Sequence, residues 1–333
     1  MSNGVFLGWG RGRGGNGPSG WEGMARDGWT DHDEVVRRLD RGADPEGRGG
    51  TPLLHHVATV GSPEVVAELA RRVADVDAVD EDGTTALWHA VVDDLPGNAA
   101  ALAAAGADPW REQLGGWSAG RLALAGPTPG LFALSEGEPG LTEAQQAMAR
   151  ERGRLVAALG SVYYDGAGLA CVAGIDAAEA IRRLEGEVTE PEGMAEAVRD
   201  GGWWDVDPEM RVVGVTTVPG GCVVTQPWGY APQMTEVMNR LSAGTVCYGL
   251  YANPKSGNQG SIVRDGVQEG FDLHPGGGPT VWDAAEEVFF AYLYHYRAVA
   301  HACAYAGLRL TDARAVSGPP DHWVELPAHI RRD

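Results

Sequence analysis

The sequence predicts two domains of different class, α followed by α+β: a short helical repeat array, then an α+β domain with a largely antiparallel sheet. Closing tripeptides of Gly/Val-Ala-Asp type end at Asp44, Asp75 and Asp108, spaced by 31 and 33 residues. Helix openings Thr51-Pro52-Leu53 and Thr85-Ala86-Leu87 stand 34 apart. From Leu169 the pattern changes to β-branched runs separated by Gly-rich turns, a strand signature. A chain of 333 residues also exceeds what one core usually fills, so two domains are the starting expectation.

Residues 1–20 are Gly-rich without periodicity and read as a disordered tail. Gly8–Gly15 carries only two arginines and no G-K-[ST] ending, so it fits neither a nucleic-acid arm nor a phosphate loop. Met24, just before the first helical pattern, is an alternative start.

The array spans residues 21–160 with its caps. Trp21 to Thr30 reads as an opening cap and Asp33 to Arg41 as an outer helix. The second unit runs from Thr51 through Pro63–Leu69 to Asp75, with an entry loop about three residues short. The third, Thr85 to Asp108, is the best formed. Its Asp80–Gly83 turn leads to a helix capped by Thr85, a second apolar helix from Asn98 to Ala105, and a closing Gly106. A degenerate fourth unit opens at Gly115-Gly116-Trp117-Ser118, and the polar helix Leu141 to Leu159 reads as the closing cap. Each helix pair is too thin to bury its own apolar face, so the units must stack.

With these openings, turns and spacings, the first half resembles the ankyrin repeat family, whose unit is 33 residues with a T-P-L-H-x-A opening. Ala86 stands where the family has Pro, and Trp88 where it has His. The resemblance implies a protein-binding array. Residues that the family points into solvent are then the partner-binding candidates: Asp80, Glu81 and Asp82 at a loop tip, His89 and Asp93 on the inner-helix face, and Arg111 at the next tip.

Residues 161–333 form the α+β domain. Leu169–Ala173 is a short apolar run, and Arg211–Val218, Cys222–Gln226, Thr245–Ala252, Gly260–Arg264 and Val267–Leu273 read as strands, with Asp265-Gly266 as a tight turn. Asp176–Leu184, Thr235–Ala243 and one long stretch, Val281–Ala306, read as helices. Val213–Tyr230, Leu241–Gly244 and Leu308–Thr311 are similar to an actinobacterial domain family without an assigned activity, which implies architecture more than function.

Net charge is −20, with −9 in residues 1–160 and −11 in residues 161–333. Such a surface repels phosphate backbones and favours a basic protein or peptide as partner, with no nucleic acid. No apolar run is long enough to span a bilayer and the start lacks a signal-peptide pattern, so no membrane and a cytoplasmic location are expected. One lysine among 26 basic residues, with abundant Ala and Gly, suggests GC-rich coding. Cys171, Cys222, Cys247 and Cys303 have neither disulfide nor zinc spacing and read as buried thiols.

No catalytic residue, cofactor or metal site is expected. His55 and His56 are neighbours on a helix and point about 100° apart, so the pair does not converge on an ion. Cys222 reads as a core strand residue. A possible pocket in the second domain would draw on Trp228, Tyr230, Tyr294, Arg297 and His301, the last two sharing a helix face. Trp203 and Trp204 add aromatic surface. The leading expectation is a non-enzymatic protein–protein interaction protein whose partner is basic, such as a toxin or enzyme. The alternative is an enzyme or small-molecule-binding module in the α+β domain.

Overall fold

The computed structural model describes residues 19–47, 51–134, 137–190 and 212–331. Residues 1–18 of the expected tail (1–20), Trp203 and Trp204 lie outside the described residues, whereas Ser19 is buried and its carbonyl accepts from Asp44 N–H. Among the described residues the chain is mixed α/β, with twelve α-helices and one eight-stranded sheet. No helix is long and apolar enough to cross a membrane. The chain divides into two compact units. One contains the described residues up to Ala149 together with Gly278–His295; the other contains the described residues between Arg150 and Gly277 and from Tyr296 onward.

In the first unit, helices α1 (His32–Asp40), α3 (Pro63–Ala70) and α5 (Pro96–Ala104) form one row, and α2 (Leu53–Val60), α4 (Ala86–Val92) and α6 (Ala119–Ala123) another. Each helix packs on the next in its own row. The N-caps of the second row are Pro52, Thr85 and Ser118, a recurrence of 33 residues. The turns repeat at the same interval: Asp80 N–H donates to the Thr84 carbonyl and Val79 bridges Thr85, while Gln113 N–H donates to Trp117 and Glu112 bridges Ser118.

The 34-residue spacing of Thr51 and Thr85 is therefore corrected. Thr85 Oγ1 accepts from Trp88 N–H, whereas Thr51 stands one residue before the cap of α2 and Pro52 occupies the cap position without a side-chain bond. Asn98 of α5 joins the two rows: 4% exposed, it donates from Nδ2 to the carbonyls of Ala58 and Gly61 at the end of α2. Trp21 and Trp29, both buried, pack with ring centroids 5.3 Å apart ahead of α1. At the other end α7 (Glu143–Leu159) is not wholly a cap, because its buried residues Leu155 and Leu159 belong to the second unit.

In the second unit strands β1 (Gly168–Ala173), β2 (Glu187–Thr189), β3 (Val212–Val218), β4 (Gly221–Gln226), β5 (Val246–Asn253), β6 (Gly257–Arg264), β7 (Val267–Leu273) and β8 (His322–Glu325) pair in the order β2-β8-β3-β4-β1-β5-β6-β7. Every pairing is antiparallel. Asp265 and Gly266, both at positive φ, make the β6–β7 turn. The short strands β2 and β8 carry no alternation long enough to be seen in sequence.

Alternation along β1 separates two layers. Val172 joins a core with Ala177 and Ala180 of α8 (Ala177–Arg183) and Val237, Met238 and Leu241 of α9 (Thr235–Leu241). Cys171 faces the other way, with its Sγ 3.7 Å from that of Cys303. All four cysteines are buried and unbridged.

The expected helix Val281–Ala306 is two helices, α10 (Ala285–Leu293) and α11 (Ala298–Tyr305). No Gly or Pro marks the break. Tyr296 turns left-handed at φ 57° and its N–H donates to the Gly276 carbonyl, so α11 starts afresh from Arg297. The two helices belong to different units. A single boundary at residue 160 thus does not describe the division, since Gly278–His295 returns to the first unit. A short helix, α12 (Arg314–Ser317), precedes β8.

Candidate interaction surface

The turn at Asp80–Thr84 is built around one carboxylate. Asp80 Oδ1 accepts from Asp82 N–H (3.1 Å), Thr84 N–H (2.9 Å) and Thr84 Oγ1 (3.0 Å), and Oδ2 accepts from His89 Nε2 (2.8 Å). Asp uses its short side chain to close local turns in this way. Burial raises the carboxyl's pKa, but the His89 bond and the Thr84 N–H outweigh that and hold it well below the ordinary range. Asp80 therefore faces inward, with its side chain 9% exposed. Glu81 and Asp82 are exposed.

The other expected contact residues are dispersed. His89 is half-buried and tied to Asp80 and Thr84. Its ring meets that of His55 edge-on at 5.5 Å, so Asp80, His89 and His55 come together. Asp93 accepts from His295 Nε2 at 3.0 Å and lies under the segment Gly278–His295. Arg111, exposed at the next tip, donates to the Asp77 carbonyl at 2.9 Å.

Sequence reasoning missed Glu112, exposed at the position equivalent to Val79, and Gln113, whose Oε1 accepts from Thr85 N–H at 2.7 Å. A 33-residue alignment of the turns places both. It also missed α10 as part of this unit. Trp117 stacks on Phe289 at 4.6 Å, and its Nε1 donates to the Ala285 carbonyl at 2.7 Å.

Of the five residues suggested for a pocket, Arg297 lines a small open cavity with Tyr164, Ser161 and Tyr296. Burial raises the Tyr164 phenol's pKa. His301 lies one turn further along α11 against Tyr248 at 5.5 Å, and burial pushes its pKa down to about 4. Tyr294 is buried in the first unit and Tyr292 contacts Gly126 there. Trp228 covers Gly166, and the half-exposed Tyr230 meets Tyr251 at 6.0 Å. The helix break separates Tyr294 from the Arg297–His301 face.

No protein-family model matches the chain, and no curated protein matches it.

Proposed function

We propose that this is a non-enzymatic protein–protein interaction protein in which an ankyrin-like array presents an acidic edge to a basic protein or peptide. The observation that carries this reading is the 33-residue recurrence of caps and turns. That interval is the ankyrin repeat length, and it places the exposed acids Glu81 and Asp82 on one projecting turn and Glu112 on the next. A net charge of −20 supports an attraction that speeds and selects encounter with a basic surface.

The test reverses charge where no fold contact is spent, at Glu81→Lys with Asp82→Lys, and leaves Asp80 intact because its carboxylate closes the turn. Tagged protein and variant are used to capture partners from native lysate, with mass spectrometry of what is retained. The expected result is a basic chain held by the unaltered protein and reduced at least tenfold by the variant. Equal retention would refute the acidic-edge reading.

A second reading, a small-molecule site in the α+β unit, is favoured by the cavity beside Arg297. It predicts one-to-one binding of a small organic anion that Arg297→Ala abolishes. Calorimetry showing no difference between the two proteins would remove it.

A further inference from the structure

We infer that His55, Asp80 and His89 bind one divalent transition-metal ion of the zinc class and thereby fasten two neighbouring repeats. One ligand atom from each of the three lies within 4.8 Å of the others. His55 comes from α2, whereas Asp80 and His89 come from the following turn and from α4, the next helix of the same row, so one ion would tie the two together. Two imidazoles and a carboxylate suit zinc, cobalt or nickel, and three protein ligands leave a position for water.

Three features single out this cluster. First, His55 is 4% exposed and its Nε2–H donates to the Thr84 carbonyl at 2.9 Å, while Nδ1 is buried without a partner. Buried polar atoms are rarely left unsatisfied, and the tautomer that keeps the Thr84 bond leaves the lone pair on Nδ1 unused. Second, Asp80 spends Oδ1 on the turn and aims Oδ2 at His89, so the carboxylate is oriented before any ion arrives. Third, the His89 side chain is 36% exposed, which leaves a route from solvent.

On binding, the proton between His89 Nε2 and Asp80 Oδ2 leaves that position, for His89 Nδ1 or for solvent, and the Nε2 lone pair passes to the metal. Bonds of about 2 Å set tetrahedral ligands about 3.3 Å apart, so the cluster tightens by at most about 1.5 Å. The neighbouring His56 takes no part, since its ring lies edge-on to Trp29 at 5.6 Å. Histidines on successive repeats converge where histidines adjacent in sequence do not.

This inference does not rest on partner binding. The test uses the full chain, stripped with EDTA and titrated with Co²⁺ by visible absorption and with Zn²⁺ by calorimetry. One site per chain is expected, together with a higher melting temperature in excess Zn²⁺. His89→Ala and Asp80→Asn should each weaken binding at least tenfold. His329→Ala, which removes a surface His–Glu pair with Glu185, should leave it unchanged. His89 is half-exposed, so circular dichroism of His89→Ala is expected to match the unaltered protein; should it not, His89→Gln replaces it. Binding weaker than about 1 mM, or full affinity retained in the His89 variant, would overturn the assignment.

Discussion

Trp117 holds a segment that arrives from far along the chain, and its removal tests how the first unit is assembled. The indole is 2% exposed, stacks on Phe289 with the rings 3° from parallel, and donates to the Ala285 carbonyl. The Arg121 guanidinium sits 4.2 Å from the ring centre. Emptying a buried Trp site costs about 3–5 kcal/mol, an aromatic stack about 0.5–1.5 kcal/mol more, and the lost hydrogen bond about 1 kcal/mol. These contributions overlap, so Trp117→Ala should destabilise the first unit by about 4–6 kcal/mol, a large part of a typical domain's stability. Trp117→Phe keeps a ring to stack and loses the N–H, so about 1–2 kcal/mol is expected. Urea denaturation measures both values, and amide hydrogen exchange over Ala285–Leu293 locates them. Trp117→Ala costing under about 1 kcal/mol, or unchanged exchange protection in α10, would refute the assignment of that helix to the first unit.

Two further measurements bear on the interior. His301, held neutral by burial with its pKa at about 4, binds a proton more readily when unfolded, where the pKa is near 6.5. Its contribution is therefore complete above about pH 6.5 and is lost as pH falls toward 4, at about 3 kcal/mol in full. His301→Phe should flatten urea midpoints between pH 7 and pH 4.5, and an unaltered slope would contradict the reading. Asn98→Leu strips the donors from the Ala58 and Gly61 carbonyls and should cost about 2–4 kcal/mol in thermal or urea unfolding; a neutral effect would mean that Asn98 does not join α5 to the end of α2.

Local chemistry is what the sequence determined by itself. Thr85 as a cap, Asp265-Gly266 as a turn and the β-branched runs of β3 and β4 all depend on neighbours a few residues away, and each is found where it was read. The mixed α/β class and the antiparallel pairing of the sheet follow from those signals. Tertiary structure alone decided the rest. Val281–Ala306 is continuously helix-compatible in composition, yet the chain turns at Tyr296 because Tyr296 N–H and His295 find partners distant in sequence, at Gly276 and Asp93. The acidic tip likewise looked uniform in sequence. Only packing beside His89 and Thr84 shows that Asp80 is consumed by the fold while Glu81 and Asp82 stay exposed, because a carboxylate's role depends on which donors surround it, and those donors are brought in by the stacked helices. The approach of His55 to His89 has the same origin, since it depends on how α2 and α4 pack side by side and not on the sequence within either helix.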